Sequence, residues 1–283
     1  MSGTEKVVVV TDSGATVPDG QAGKLDIRIV PLWLTFGGLS FRDGVDITAG
    51  EVYRWLRTNK HVPTTSAPSI GDFLRVYAAA GREAAGIVSI HISPRLSATY
   101  SAALTASHLV DDVPIRIVDC HTAAMGQGFV VLEAARAATA GADLDAVVAR
   151  ANEVASKMNL LATIDTLEYL GRSGRIGGAA TLLGTMLRIK PVLYLGNGHV
   201  DVFAKPRTKR KAVQVMLEQM AESANGRPLH AAVLHADVPD EAEELKQKVA
   251  ELFNCVELYV AEFTPVMGAH TGPEVLGVAF YVD

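Results

Sequence analysis

The sequence predicts an α/β protein of two domains: an N-terminal three-layer α/β/α domain around a mostly parallel sheet, and a C-terminal α/β domain with a mixed sheet. Three observations carry that prediction. Short apolar runs lack alternation, as suits strands buried on both faces of a parallel sheet. Helix-length stretches separate them, which makes βαβ units. The texture then changes near residue 160, so the expected domains are residues 1–159 and 160–283, and 283 residues suffice for two modest domains sharing a cleft.

The first strand is Val7-Val8-Val9-Val10, with Thr11-Asp12-Ser13-Gly14 at its carboxyl end. Further strands are expected at residues 27–32, 86–92 and 115–119, and helices at 50–58, 69–80, 97–109, 126–140 and 144–158. A strand at 160–165 opens the second domain, and a glycine-rich connection over 171–178 follows. Ala179 to Arg188 reads as a short apolar helix, Pro191 to Leu195 as a strand turning at Gly196-Asn197-Gly198. A helix over 209–223, a strand over 230–235, a charged helix over 241–253 and two late strands complete the chain. In parallel sheets, ligands sit at the carboxyl ends of the strands, so the polar groups there are the first candidates for function.

Composition removes several classes of function. Hydrophobic residues make up 49% and charged ones 20%, too apolar for a disordered chain. With 26 Lys+Arg against 31 Asp+Glu the net charge is −5, which argues against nucleic acid or an anionic membrane as the main partner. Basic residues cluster only over 205–211. Two cysteines, Cys120 and Cys255, are too few for a disulfide framework or a cysteine-based zinc site, and fit a reducing cytoplasm. No secretory leader is read at the N-terminus, and no apolar stretch approaches the roughly 20 residues that span a bilayer.

Phosphate-loop, dinucleotide-binding, nucleophile-elbow and zinc-helix motifs are missing. His230 and His235, five apart on one expected strand, point to opposite faces and make poor metal ligands. No metal site is expected. What stands out is a set of hydroxyl-rich turns: Pro63-Thr64-Thr65-Ser66-Ala67-Pro68-Ser69 before a helix, and Ser93-Pro94-Arg95-Leu96-Ser97-Ala98-Thr99 after a strand. Each Ser or Thr admits a capping reading, satisfying orphan N–H groups at a helix start. Several such turns at strand ends also gather hydroxyls and amides around one point, an anion pocket without a metal. His270, flanked by Gly268 and Gly272, admits both a structural reading and a ligand-binding one, since imidazole donates to carboxylates and glycine permits close approach.

Taken in order from residue 7 to residue 280, these turns, Gly171 to Gly178, Lys190-Pro191, Arg207-Thr208 and His270-Thr271-Gly272-Pro273 resemble the DegV family of bacterial fatty-acid-binding proteins. Some members serve as the carrier subunit of fatty acid kinase. The resemblance implies a long-chain fatty acid buried between the two domains and no other cofactor. Carried over by motif, Thr65, Ser66, Ser97 and His270 would hold the carboxylate, with Ser93 and Thr271 as secondary head-group candidates. Arg175 and Arg207 fall where the family keeps arginines for the docking kinase, which would phosphorylate the bound acid. On sequence alone an apolar helix face is more often plain core, and only the resemblance makes the stretch with Leu182, Leu183, Met186 and Leu187 the expected tunnel wall. Three departures from the family pattern bear on the head group: Pro94 in place of Ser removes a donor, Ala98 in place of Gly narrows the site, and Glu274 in place of Gly repels an anion if it points inward.

The leading expectation is therefore a cytoplasmic carrier rather than an enzyme. The alternative is a hydrolase or acyltransferase using Ser97 with His270, which requires the two within hydrogen-bond reach and an acid behind the imidazole. A third reading is a small-molecule regulatory module without a kinase partner.

Overall fold

The computed structural model describes residues 6–59, 61–184 and 189–283. Its elements are β1 (Val7–Asp12), α1 (Gln21–Lys24), β2 (Arg28–Val30), β3 (Trp33–Phe36), β4 (Leu39–Arg42), α2 (Ala49–Thr58), β5 (Thr64–Ser66), α3 (Ile70–Gly81), β6 (Gly86–His91), α4 (Thr99–Ser107), β7 (Ile115–Asp119), α5 (Ala124–Thr139) and α6 (Leu144–Lys157). The chain continues with β8 (Asn159–Thr163), α7 (Glu168–Ser173), β9 (Val192–Gly196), β10 (His199–Ala204), α8 (Lys209–Ala224), β11 (Leu229–Ala236), α9 (Pro239–Leu252), β12 (Cys255–Glu262), α10 (Pro265–Thr271) and β13 (Val275–Val282).

Two sheets stack with helices between and outside them. The first has strand order β2-β1-β6-β7 and is parallel throughout. The second, β10-β9-β8-β13-β11-β12, is mixed: β11 and β12 run parallel and the other pairs antiparallel. Helices α5 and α6 lie between the sheets, α3 and α4 cover the far face of the first, and α8 and α9 cover the far face of the second. The β1 valines show why the apolar run has no alternation. Val7 and Val9 pack toward α5, and Val8 and Val10 join the separate core under α3 and α4. Helix α5 is buried along nearly its whole length, so one core is continuous from the first sheet to the second.

A third, small sheet escapes the sequence reading. Its antiparallel order β4-β3-β5 places Thr65 opposite Leu34 and Ser66 opposite Trp33. These strands are three or four residues long, too short for a period-two pattern to show. The segment expected to form a helix over 179–188 is instead a 3₁₀ turn over Gly177–Leu182 as far as it is described, and residues 185–188 lie outside the described residues. Gly177 and Gly178 explain the tight geometry: a Cβ on Gly177 would come 2.3 Å from the Val200 carbonyl oxygen, and one on Gly178 2.0 Å from an Asp201 carboxylate oxygen. The turn can lie on β10 only because both positions lack side chains.

Candidate functional site

A cavity of about 400 Å³ opens where the carboxyl ends of the first sheet face the second sheet. That volume falls in the range of small-molecule sites, roughly 300–1,000 Å³. Gly14 after β1, Ile92 and Leu96 after β6, and Ala123 after β7 form one side. Leu160 and Ala162 of β8, Leu193 and Leu195 of β9, and Val266 and Met267 of α10 form the other. The β8 side chains alternate, so Leu160 belongs to the core shared between the sheets while Leu161 belongs to the core under α8.

Polar groups collect at one part of this apolar wall. Thr65, Ser66, Ser97, His270, Thr271 and Arg175 all line it. Thr65 is fixed by the β3 pairing, and its Oγ1 lies 2.8 Å from His270 Nε2. His270 rides on α10, whose start is marked in the sequence by Thr264-Pro265, a cap-position hydroxyl and a proline at the first helical residue. The flanking glycines let this helix sit close. A Cβ on Gly268 would meet the Tyr53 ring at 2.7 Å, and Gly272 has φ 75° with the Tyr169 ring 2.2 Å from its would-be Cβ.

Burial and the nearby Arg175 charge push the His270 imidazole down to about 4, so the ring is neutral near pH 7. Its Nδ1 is buried without a hydrogen-bond partner. Ser97 Oγ lies 2.8 Å from Thr99 Oγ1 and accepts from the Thr99 N–H at 3.3 Å, so this hydroxyl both braces the start of α4 and faces the cavity. Ser69, by contrast, is wholly a cap, forming a reciprocal capping box with Asp72 at the head of α3. Arg175 donates to the carbonyl oxygens of Leu96, at 3.1 Å, and Ser173, and neither contact cancels its positive charge. No acidic side chain is among the described lining residues.

Other sequence candidates lie elsewhere. Ser93 is buried but does not line the cavity; it packs under the β9–β10 turn, where a Cβ on Gly198 would come 2.2 Å from its Oγ. Leu182 is buried in the core and Leu183 is 55% exposed, so the described wall comes from β8, β9 and α10 instead. Met186 and Leu187 lie outside the described residues. Arg207 is exposed just before α8, away from the cavity lining. Of the departures, Pro94 and Glu274 are exposed and off the cavity, whereas Ala98 lines it.

The arrangement does not supply a serine hydrolase. His270 Nε2 faces Thr65, its Nδ1 has no acid behind it, and Ser97 is engaged with Thr99. Among the described residues one group, Glu133, His230 and Glu257, brings three potential metal-ligand atoms within 4.8 Å. Its oxygens are already held by cations: Arg136 pairs with both Glu257 oxygens and with Glu133, and Arg150 pairs with Glu133. That donor set is a buried ion-pair network joining α5 and α6 to the second sheet. No helix among the described residues is long and apolar enough to cross a membrane.

The family model described as "Uncharacterised protein, DegV family" matches residues 6–283. A DegV domain-containing protein of Streptomyces coelicolor is 38% identical over 274 residues, 96% of this chain and 97% of its own. The structure of a DegV family protein from Thermus thermophilus, described for fatty acid binding, matches with a TM-score of 0.94 at 36% identity, covering 98% of this chain and 100% of that one. A stearic-acid-binding protein from Eubacterium ventriosum matches with a TM-score of 0.87 at 27% identity over 97% of each chain.

Proposed function

The chain belongs to the DegV family, and we propose that it binds a long-chain fatty acid, its tail in the cavity between the sheets and its carboxylate at Thr65, Ser66, Ser97 and His270. Thr271 is a secondary contact. The observation that carries this reading is the cavity itself: an apolar wall interrupted at one place by hydroxyls, a neutral imidazole and one guanidinium, with no acid among its described residues. Its relatives from Thermus thermophilus and Eubacterium ventriosum bind fatty acids.

The energetics divide between tail and head. Each buried methylene contributes about 0.8 kcal/mol, so a sixteen-carbon acid gains on the order of 10 kcal/mol before ordering costs. The head group supplies orientation. With the proton on Nε2, His270 donates to Thr65 Oγ1, which frees the threonine proton for the ligand carboxylate. A buried carboxylate without such donors would be driven to its neutral form by desolvation.

The same reading extends to a partner. A cytoplasmic carrier of this kind presents the carboxylate to a separate fatty acid kinase, whose ATP and metal make the acyl phosphate: a carboxylate oxygen bonds to the γ-phosphorus and ADP leaves. Arg175, at the cavity, suits the phosphoryl charge, and exposed Arg207 suits an acidic kinase surface.

Mass spectrometry of lipid extracted from the purified protein tests the first step. A co-purifying fatty acid is expected, and the absence of both a co-purifying fatty acid and binding of added oleate would reject the reading. Arg207→Ala should leave oleate binding intact and slow phosphorylation by a cognate kinase; equal turnover removes Arg207 from docking.

A further inference from the structure

Helix α10 has only seven residues and cannot hold itself in place by its own hydrogen bonds. Its N-cap, Thr264, makes no side-chain cap bond. The first-turn N–H of Val266 is instead taken at 2.9 Å by Asp43 Oδ1, a residue 223 positions earlier. Asp43 is 2% exposed and is tied down by its own N–H, which donates to the Leu32 carbonyl at 2.8 Å. The N-terminal half therefore grips α10 at three levels: Asp43 at its start, the Tyr53 ring against Gly268 in its middle, and Thr65 on His270 at its end.

We propose that Asp43 is a positioning residue for the carboxylate end of the cavity: by capping α10 from the opposite half of the chain, it sets the height at which His270 meets Thr65. The proposal rests on the reading that those two residues hold the fatty acid's carboxylate. From Val266 to His270 is four residues, about 6 Å of helix rise. A displacement of about 1 Å along the line of the 2.8 Å contact takes it out of hydrogen-bond range.

The environment of Asp43 shows that it is retained at a cost. Its Oδ2 is buried without a partner, as is Thr264 Oγ1. Burial pushes its carboxyl up to about 6, with the Asp12 charge adding to the rise and the hydrogen bond from the Val266 N–H opposing it. Other charged or titratable groups around it are Tyr53 on α2, Glu262 and Asp237 near that ring, Arg57 paired with Asp237, and Asp19 across the adjoining crevice. An ionised Asp43 thus adds an anion at one end of the short helix whose other end faces the ligand's anion. An isosteric amide at this position keeps the acceptor for Val266 and removes the charge.

The test is oleate titration of lipid-stripped protein for wild type, Asp43→Ala, Asp43→Asn, His270→Ala and the double variant Asp43→Ala/His270→Ala. Asp43→Ala should weaken oleate about tenfold, Asp43→Asn should stay within about threefold of wild type, and the double variant should bind no more weakly than His270→Ala alone. Wild-type affinity in a folded Asp43→Ala, or losses that multiply in the double variant, would overturn the proposal. If His270→Ala itself binds oleate normally, the carboxylate assignment fails first, and this inference with it. Should Asp43→Ala not fold, the ratio of wild-type to Asp43→Asn dissociation constants carries the test. It should rise between pH 5 and pH 8, because only the wild type gains the buried charge, and a constant ratio overturns the coupling.

Discussion

Beneath the cavity floor, Ser89 Oγ lies 2.7 Å from His91 Nε2, and His91 Nδ1 lies 2.9 Å from Asp12 Oδ2. At the cavity's polar end, Thr65 Oγ1 meets His270 Nε2 at 2.8 Å, and the buried Nδ1 of that ring has no hydrogen-bond partner among the described residues. By connectivity alone the first resembles a catalytic triad and the second does not. Yet Asp12, Ser89 and His91 are fully buried, Tyr77 donates to Ser89, and Asp12 also receives the N–H groups of Gly14 and Ile92 and the Gln127 amide. That chain is closed on itself and joins β1 to β6. The Thr65–His270 pair is the open one. On the proposed reading, a hydroxyl–imidazole contact at the cavity wall with a valence left unpaired serves the ligand, and one with every valence taken is structural.

The largest effect separating the two regions is expected from Asp12→Ala. It strands several buried donors at once, so stability should fall by about 3–5 kcal/mol in denaturant unfolding. Thr65→Ala should reverse the pattern, with a loss of about 1 kcal/mol in stability and about tenfold in oleate affinity. If Thr65→Ala cost as much stability as Asp12→Ala and no affinity, the two regions would be one structural network.

A middle-sized effect concerns pH. His270 titrates near 4 in the folded protein against 6.5 ordinarily. Between those values the unfolded chain holds a proton that the folded site refuses, so stability falls as pH falls across the window, by about 3 kcal/mol in all. Asp43 acts in the opposite sense, because its raised carboxyl favours the folded state as pH falls through about 6. The difference between wild type and His270→Gln isolates the histidine. That difference should shrink when oleate is bound, since a neighbouring carboxylate raises the imidazole. Identical acid-unfolding profiles for the two proteins would show that His270 is not buried as described.

Legibility in the sequence followed the same division. The parallel strands were readable because burial on both faces leaves uninterrupted valine and isoleucine runs, as in β1. The turns bearing Thr65 and Ser97 stood out because hydroxyls and prolines crowd there. The cavity wall was harder to read. Leu160, Ala162, Leu193 and Leu195 are ordinary strand residues, and only the facing of two sheets makes them a wall. Period two along β8 and β9 held the signal, but the side chosen for the ligand depends on what the other half of the chain presents. Asp43 carried no local signal at all. Its partner is in α10, and a contact across 223 residues leaves no periodicity to detect.

The smallest effect belongs to Glu274, which stands where the resemblance puts glycine. Its φ is 65°, in the left-handed region, and its N–H donates to the Ala236 carbonyl at 2.7 Å. The side chain is exposed and does not line the cavity, so the feared repulsion of a bound carboxylate has no route except through solvent. Left-handed backbone costs a non-glycine residue roughly 1–2 kcal/mol, and glycine gives back about 0.5–1 kcal/mol through the freer unfolded chain. Glu274→Gly should therefore raise stability by at most about 1.5 kcal/mol while oleate affinity stays unchanged. A gain in affinity instead would mean that the carboxylate reaches the head group in solution, and the polar end of the cavity would then extend past α10 to the start of β13.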